Sequence, residues 1–189
     1  MIDYSVNNGF CDEKRAKEII NFCLEYGEPF SYKPSESWDC RRIYDDIFKQ
    51  EIINTLTEKY FTNEFKLWFN YEDFKLKNFN VSLTSYYDGR YLNLHKDKTS
   101  ELTTVIVLSD GYKGGEFVLS DDKNPPIHFE TLDSVETFNL KLGDSISFDG
   151  SKIYHGVLPV TNGIRYALNI WMTETDFNYP KIKINGTLI

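Results

Sequence analysis

Histidine and cysteine are equally scarce in this chain, three of each, and neither comes in the runs that would announce a familiar site. There are three cysteines, Cys11, Cys23 and Cys40, all in the first quarter and with no CxxC pair. An odd number so placed argues against a disulfide framework and against a cysteine-built zinc site. No apolar run approaches the ~18 residues of a membrane-spanning helix, which predicts no membrane partner. Met1 is followed by Ile2-Asp3-Tyr4, without a charged and then apolar leader, so no signal peptide is expected and a reducing, cytoplasmic setting is the default. No dense basic stripe is present and the net charge is -8. Phosphate backbones are met by Lys and Arg, so nucleic acid is not the expected partner. Internal repeats and low-complexity tracts are also missing.

What is abundant is aromatic: thirteen Tyr and fourteen Phe among 189 residues. Planar rings pack well on a pleated surface, and the length suits one domain with a sizeable core. The first part, 1–75, reads as mainly helical support. Asp12 is a candidate N-cap, behind which Ala16, Ile19, Ile20, Cys23 and Leu24 recur at helical spacing until Gly27 and Pro29. A second helix is expected from about Tyr44 to Tyr60, with an apolar stripe of Ile47, Phe48, Ile52, Leu56 and Tyr60. Between them, Ser31 to Arg42 reads as a polar loop holding Trp38.

From 76 to 189 the texture changes to short β-type runs split by Asp88-Gly89, Asp110-Gly111, Gly114-Gly115, Gly143-Asp144, Asp149-Gly150 and Asn162-Gly163. The expected strands are Phe79 to Tyr86, Leu102 to Leu108, Glu116 to Leu119, Val135 to Leu140, Ser145 to Phe148, Tyr154 to Val160 and Arg165 to Met172. Helices followed by many short strands predict a mainly β fold with supporting α-helices, a sandwich or jelly roll. Ser120 to Ser134 reads as an excursion between core strands, either a substrate-contacting loop or a solvated hairpin.

Two of the three histidines sit in informative places. His95-Lys96-Asp97 sets an imidazole and a carboxylate two residues apart, on one face if the segment is a strand. His155 lies sixty residues on, in Lys152-Ile153-Tyr154-His155-Gly156-Val157. Two His and one carboxylate on one face of a metal leave positions open for a co-substrate and dioxygen, which suits non-heme Fe(II). The HxD pair alone is a weak signal, since most such pairs are surface residues. Arg165 strengthens it. In the run Arg165 to Met172, Arg165, Ala167, Asn169 and Trp171 share one face, and Tyr166, Leu168, Ile170 and Met172 the other. An inward Arg needs an anion, either a dicarboxylate reaching from the metal or a structural Asp or Glu. His128 has no ligand spacing to the others and reads as structural or exposed.

These residues together resemble the prolyl 4-hydroxylase-type members of the Fe(II)/2-oxoglutarate-dependent dioxygenase superfamily. Tyr86-Tyr87-Asp88-Gly89 leading to His95-Lys96-Asp97 is similar to their opening motif, and Gly114-Gly115-Glu116-Phe117 to their GGE strand. Gly143-Asp144 with Ser147-Phe148 resembles the turn and strand before the distal histidine. His155-Gly156-Val157-Leu158-Pro159-Val160 with Arg165-Tyr166-Ala167 and Trp171 resembles their closing segment. The likeness covers about Val81 to Thr173. It implies a double-stranded β-helix with Fe(II) on His95, Asp97 and His155. It implies 2-oxoglutarate bound to that metal, its 5-carboxylate on Arg165, and ascorbate as an in vitro additive.

Tyr86 matches a family tyrosine able to hydrogen-bond that carboxylate, Tyr87 is the second choice, and Asn169 is a further candidate donor. One departure stands out: where the hypoxia-sensing enzymes carry a tyrosine on the strand after HxD, this chain has Val107. Related halogenases have a small residue at the carboxylate position, so Asp97 points to hydroxylation. The implied reaction consumes oxygen, decarboxylates 2-oxoglutarate to succinate and hydroxylates a substrate. A prolyl residue in a protein or peptide comes first by analogy, with a free amino acid or small metabolite as the alternative. Readings from other classes are a non-catalytic metal-binding jelly-roll module and a zinc or manganese cupin-like isomerase or hydrolase.

One expectation concerns register. A two-residue Asn162-Gly163 hairpin would turn His155 away from Arg165. A three-residue turn with Gly163 at positive φ would pair Val160 with Ile164 and His155 with Asn169, putting His155 and Arg165 on one face.

Overall fold

The computed structural model describes residues 4–30, 38–59, 78–98, 100–120, 135–173, 183–184 and 187–188. It opens on a strand, β1 (Tyr4–Asn7), and helix α1 (Glu13–Tyr26). Asp12 caps α1 as its sequence position predicts: the carboxylate accepts from the Arg15 N–H at 2.8 Å. Gly27 ends the helix, its N–H donating to Cys23 O. Ala16, Ile19 and Cys23 are buried. Then come β2 (Glu28–Pro29), β3 (Asp39–Ile43), α2 (Asp46–Lys59), β4 (Asn78–Tyr86), β5 (Leu92–His95) and β6 (Leu102–Val107). The rest is β7 (Lys113–Gly114), β8 (Phe117–Ser120), β9 (Glu136–Phe138), β10 (Ser145–Phe148), β11 (Tyr154–Val157), β12 (Val160–Asn162), β13 (Arg165–Thr173), β14 (Lys183–Ile184) and β15 (Thr187–Leu188).

Two sheets make the sandwich. The larger runs β1-β10-β6-β13-β4-β3-β2, and the smaller β5-β11-β8-β9. The chain passes between them repeatedly, as a double-stranded β-helix requires. Period-2 alternation gives the large sheet two working faces. Outward, Val81, Leu83, Leu102, Ile106, Leu168, Ile170 and Met172 pack with the buried sides of α1 and α2. Inward, Tyr86, Val105, Val107, Phe148 and Ala167 meet Phe117, Leu119 and Val157 of the small sheet. The inner layer holds the functional residues.

Several expectations need correction. The segment read as a polar loop ends in β3, so Asp39 to Arg42 are strand, pairing with Ser85 to Ser82 of β4; residues 31–37 lie outside the described set. Ile47 is 84% exposed, and Ile53 is buried in its place. Tyr60, His128 and the excursion at 121–134 fall on residues not described. The run Tyr154 to Val160 is broken at Leu158-Pro159 into β11 and β12; proline cannot donate to a ladder.

The strands on either side of Gly163 do not pair with each other as the three-residue turn would require. β11 pairs with β5 and β8, β12 with β7, and β13 with β4 and β6. Neither Val160 with Ile164 nor His155 with Asn169 is a pair. The chain changes sheets here, so His155 and Arg165 face the same interior from opposite layers and parity along a hairpin is not the constraint. Gly163 is nevertheless at φ 75. A Cβ there would lie 2.9 Å from Gly111 O and 3.0 Å from Tyr112 Cα. Gly163→Ala should therefore lower stability by about 1–2 kcal/mol, from the left-handed backbone alone. Urea unfolding reads this; an unchanged midpoint would contradict it.

Candidate metal and co-substrate site

His95 and His155 are direct cross-strand partners, His95 on β5 and His155 on β11. Their ring centroids are 4.3 Å apart. The strand ends at His95, so Asp97 is not held by ladder pairing as the HxD reading assumed. It is fixed instead by its own N–H donating to Gly150 O at 2.8 Å. Nε2 of His95 lies 3.8 Å from Asp97 Oδ1, and Nε2 of His155 lies 3.5 Å from Asp97 Oδ2. The three ligand atoms all lie within 4.8 Å of one another, and among the described residues this is the group of His, Cys, Asp or Glu able to hold a metal ion.

The surroundings prepare each of the three as a ligand. His95 Nδ1 is 2.9 Å from Asn93 O, and His155 Nδ1 is 3.1 Å from Ile153 O. A carbonyl can only accept, so each Nδ1 carries the proton and each Nε2 presents its lone pair inward. His155 is 4% exposed, beside the Phe148 ring. Burial, with His95 adding to it, pushes its imidazole down to about 4 against the pull of Asp97. It is therefore a neutral ligand at ordinary pH. Asp97 Oδ2 accepts from Thr103 Oγ1 at 2.6 Å and from Trp171 Nε1 at 3.0 Å. Those two bonds anchor one carboxylate oxygen and leave Oδ1 for a metal.

Neither Thr103 nor Trp171 was assigned this role from sequence. Trp171 was at least on the correct face of its strand; nothing local to Thr103 marks it. Gly150 is the third supporting element. A Cβ at Gly150 would lie 2.2 Å from Thr103 Oγ1 and 2.6 Å from Asp97 Oδ2. Gly150→Ala should push this pair apart and weaken metal binding by on the order of 10- to 100-fold, the usual effect of losing a ligand's support. A calorimetric Mn(II) titration reads it, and wild-type affinity would contradict it.

Among the described residues, Arg165 is the largest fully buried side chain, at 1% exposure, and none of its Nε, Nη1 or Nη2 has a hydrogen-bond partner there. A structural Asp or Glu partner, one of the two readings left open by the sequence, is thus not what holds it. Tyr86 is its register neighbour on β4 and is buried, with the guanidinium carbon 5.6 Å from the ring centroid. Tyr87, on the opposite face, turns away: its hydroxyl donates to Asp39 Oδ2 at 2.7 Å, and Arg90 covers its ring. Asn169 faces inward, but its amide donates to Thr84 Oγ1 at 2.9 Å.

The sequence reading missed Tyr112. Burial raises its phenol pKa while the nearby Arg165 charge pulls it down, and its hydroxyl donates to Leu140 O at 3.2 Å. Gly115 completes the cradle: a Cβ there would lie 2.9 Å from Arg165 Cδ and 3.4 Å from the Tyr112 ring.

The donor set, with two imidazoles and one carboxylate offering open faces, fits Fe(II). The orphaned guanidinium fits the far carboxylate of a dicarboxylic oxo-acid.

Comparison with known proteins agrees. The sequence of residues 81–173 matches the family described as the 2OG-Fe(II) oxygenase superfamily. A curated Xenopus tropicalis protein, 2-oxoglutarate and iron-dependent oxygenase domain-containing protein 2, is 32% identical over 85 residues, which are 45% of this chain and 23% of that protein. The chain therefore spans under a quarter of that relative.

Among solved structures, a Pseudomonas putida prolyl-4-hydroxylase superposes with a TM-score of 0.63 at 14% identity, covering 93% of this chain and 95% of its own. A viral collagen prolyl hydroxylase from Paramecium Bursaria Chlorella virus-1 gives 0.59 at 19% identity, covering 91% and 96%. A Trichoplax adhaerens prolyl hydroxylase gives 0.61 at 15%, covering 90% and 83%. At these identities the likeness shows the fold. No helix among the described residues is long and apolar enough to cross a membrane. Residues 81–173, which carry the His-Asp-His cluster and Arg165, thus match the 2OG-Fe(II) oxygenase superfamily.

Proposed function

We propose that this chain is an Fe(II)- and 2-oxoglutarate-dependent hydroxylase, with His95, Asp97 and His155 as metal ligands and Arg165 as the clamp for the 5-carboxylate. The observation that carries the reading is the buried Arg165 without an acceptor, facing the same interior as the three ligands. A charge so placed is costly unless an anion meets it. A dicarboxylic oxo-acid reaching from the metal supplies one, whereas a non-catalytic binding module or a zinc or manganese isomerase or hydrolase does not by itself call for a dicarboxylate at this place.

Bound Fe(II) would supply the oxygen chemistry: dioxygen and 2-oxoglutarate go to succinate and carbon dioxide, and one oxygen atom enters a substrate C–H bond. The chain's own residues do the rest. His95 and His155 present lone pairs fixed by Asn93 O and Ile153 O. Thr103 and Trp171 hold Asp97 in place. Arg165 orients the oxo-acid, and Tyr86 flanks it as the preferred tyrosine contact, with Tyr112 beside it. Tyr87 drops out because Asp39 takes its hydroxyl. Phe117, Phe148 and Val157 wall the interior and keep water from it.

A prolyl residue in a peptide or protein is the first substrate candidate. Its support is that several structural neighbours are prolyl hydroxylases, one of them in complex with a hypoxia-inducible-factor peptide fragment. A free amino acid or small metabolite is the second. The test is succinate release by the Fe(II)-loaded chain against a panel of proline-containing peptides and free amino acids, with products read by mass spectrometry. Substrate-stimulated succinate with a +16 Da product supports the reading. Succinate formation that does not require Fe(II), or none with any condition, refutes it.

A further inference from the structure

Trp171 supports a metal ligand, and in doing so it brings an oxidisable ring to the place where oxygen is transferred. Its Nε1 donates to Asp97 Oδ2 at 3.0 Å, while Oδ1 of the same carboxylate is left for the metal. A single carboxyl group therefore links the indole N–H to the metal position. On β13 the ring lies on the inner face, between Thr103 of β6 and Asn80 of β4. It is part-buried, so the protein does not enclose it fully. Holding a carboxylate oxygen needs only an N–H donor, which an amide side chain also carries. Tryptophan adds an electron-rich ring.

Phe148 and Phe117 also stand at the site, with ring centroids 4.7 and 6.3 Å from that of His155. A phenyl ring gives up electrons less readily than an indole. Two further residues tell an oxidant acting at the metal from one free in solution. Met172 follows Trp171 in sequence but points to the opposite face, 2% exposed in the helix-side core; its thioether is a common target of diffusing oxidants. Trp38 precedes β3, whose Asp39 pairs with Ser85, and so lies beside Tyr86 at the Arg165 end of the sheet. From Arg165 to Trp171 is six residues of extended strand, roughly 20 Å.

We propose that Trp171 is a self-modification site, whose indole bonded to Asp97 takes up an oxygen atom when no primary substrate is present. The proposal rests on the oxygenase reading, which supplies Fe(II), dioxygen and 2-oxoglutarate. One oxygen atom of dioxygen is inserted into an indole C–H bond, and the hydrogen stays on the new hydroxyl. The other enters the carboxylate of succinate as 2-oxoglutarate loses carbon dioxide. The electrons that reduce dioxygen come in equal parts from the oxo-acid and from the indole C–H bond.

The test incubates the full chain with Fe(II), 2-oxoglutarate, oxygen and catalase, without primary substrate, and locates added oxygen by fragmenting its peptides in the mass spectrometer. Trp171 should gain +16 Da, or +18 Da under ¹⁸O2, while Trp38 and Met172 stay unmodified. Omitting Fe(II) or 2-oxoglutarate should remove the gain. A second readout needs no turnover. Mn(II) added to the ¹⁵N-labelled chain should broaden the Trp171 indole N–H resonance and spare that of Trp38, each assigned by its loss in Trp171→Phe or Trp38→Phe. The proposal is overturned if Trp171 gains no oxygen, if the gain persists without 2-oxoglutarate, if Trp38 or Met172 takes as much, or if Mn(II) broadens both indoles alike. Failure of the oxygenase reading shows separately, as an Arg165 Nε–H resonance that does not respond to 2-oxoglutarate in the Zn(II)-loaded chain.

Discussion

Replacing Arg165 with leucine is expected to leave the metal-free fold at least as stable as wild type while removing most of the affinity for 2-oxoglutarate. These opposite effects follow from one fact: the guanidinium is 1% exposed and has no acceptor. Exchanging a buried ionic group for a well-packed apolar one is often neutral or stabilising, by about 1–4 kcal/mol. Losing one partner of a desolvated charge pair costs about 2–5 kcal/mol, a loss in affinity of roughly 30-fold to several thousandfold. Thermal unfolding with and without 2-oxoglutarate separates the two. The ligand should stabilise the metal-loaded wild type by mass action and leave Arg165→Leu unmoved. A variant that unfolds would make Arg165 a structural staple instead.

His95→Ala is the second large effect. The side chain of His95 is 38% exposed, so truncation should spare the fold and act on the metal alone. With one of three ligands gone, affinity for Fe(II) or Mn(II) should fall by on the order of 100-fold or more, beyond the effect of losing a supporting contact, and turnover should vanish. His155→Ala should lose the metal too, but at a cost in stability, since His155 is packed against Phe148 and Phe117. Anaerobic titration of His95→Ala decides the matter: wild-type metal affinity would remove His95 from the site.

The residues most legible in the sequence are those whose chemistry allows few substitutes. His95, Asp97 and His155 stood out because histidine is rare here and the spacing restricts what the three can do together. Arg165 stood out because period-2 alternation set it among Ala167, Asn169 and Trp171, apart from the packing face. The same alternation separates Tyr86 from Tyr87 once β4 is paired: Tyr86 falls beside Arg165, and Tyr87 reaches Asp39 on the other side.

What stayed hidden is non-local. Thr103 reaches Asp97 because β6 pairs with β13, and β13 brings Trp171 to the same carboxylate. No short-range pattern records that. Tyr112 and Gly115 close on Arg165 from either side of the two-residue strand β7. In the sequence β3 reads as a loop because its polar residues, Asp39, Arg41 and Arg42, break the alternation expected of a strand. The register inference between His155 and Arg165 failed because it assumed that successive strands pair, whereas here the chain passes from one sheet to the other.

The central claim is that one oxo-acid bridges the metal held by His95, Asp97 and His155 and the guanidinium of Arg165. Calorimetric titration of 2-oxoglutarate into the full chain, with and without Mn(II) as a redox-stable metal, tests it most directly. The account predicts a single site whose affinity depends both on the metal and on Arg165, so that omitting Mn(II) or substituting Arg165→Leu each abolishes most of the binding. Binding that is indifferent to the metal, or equal in wild type and Arg165→Leu, would contradict it.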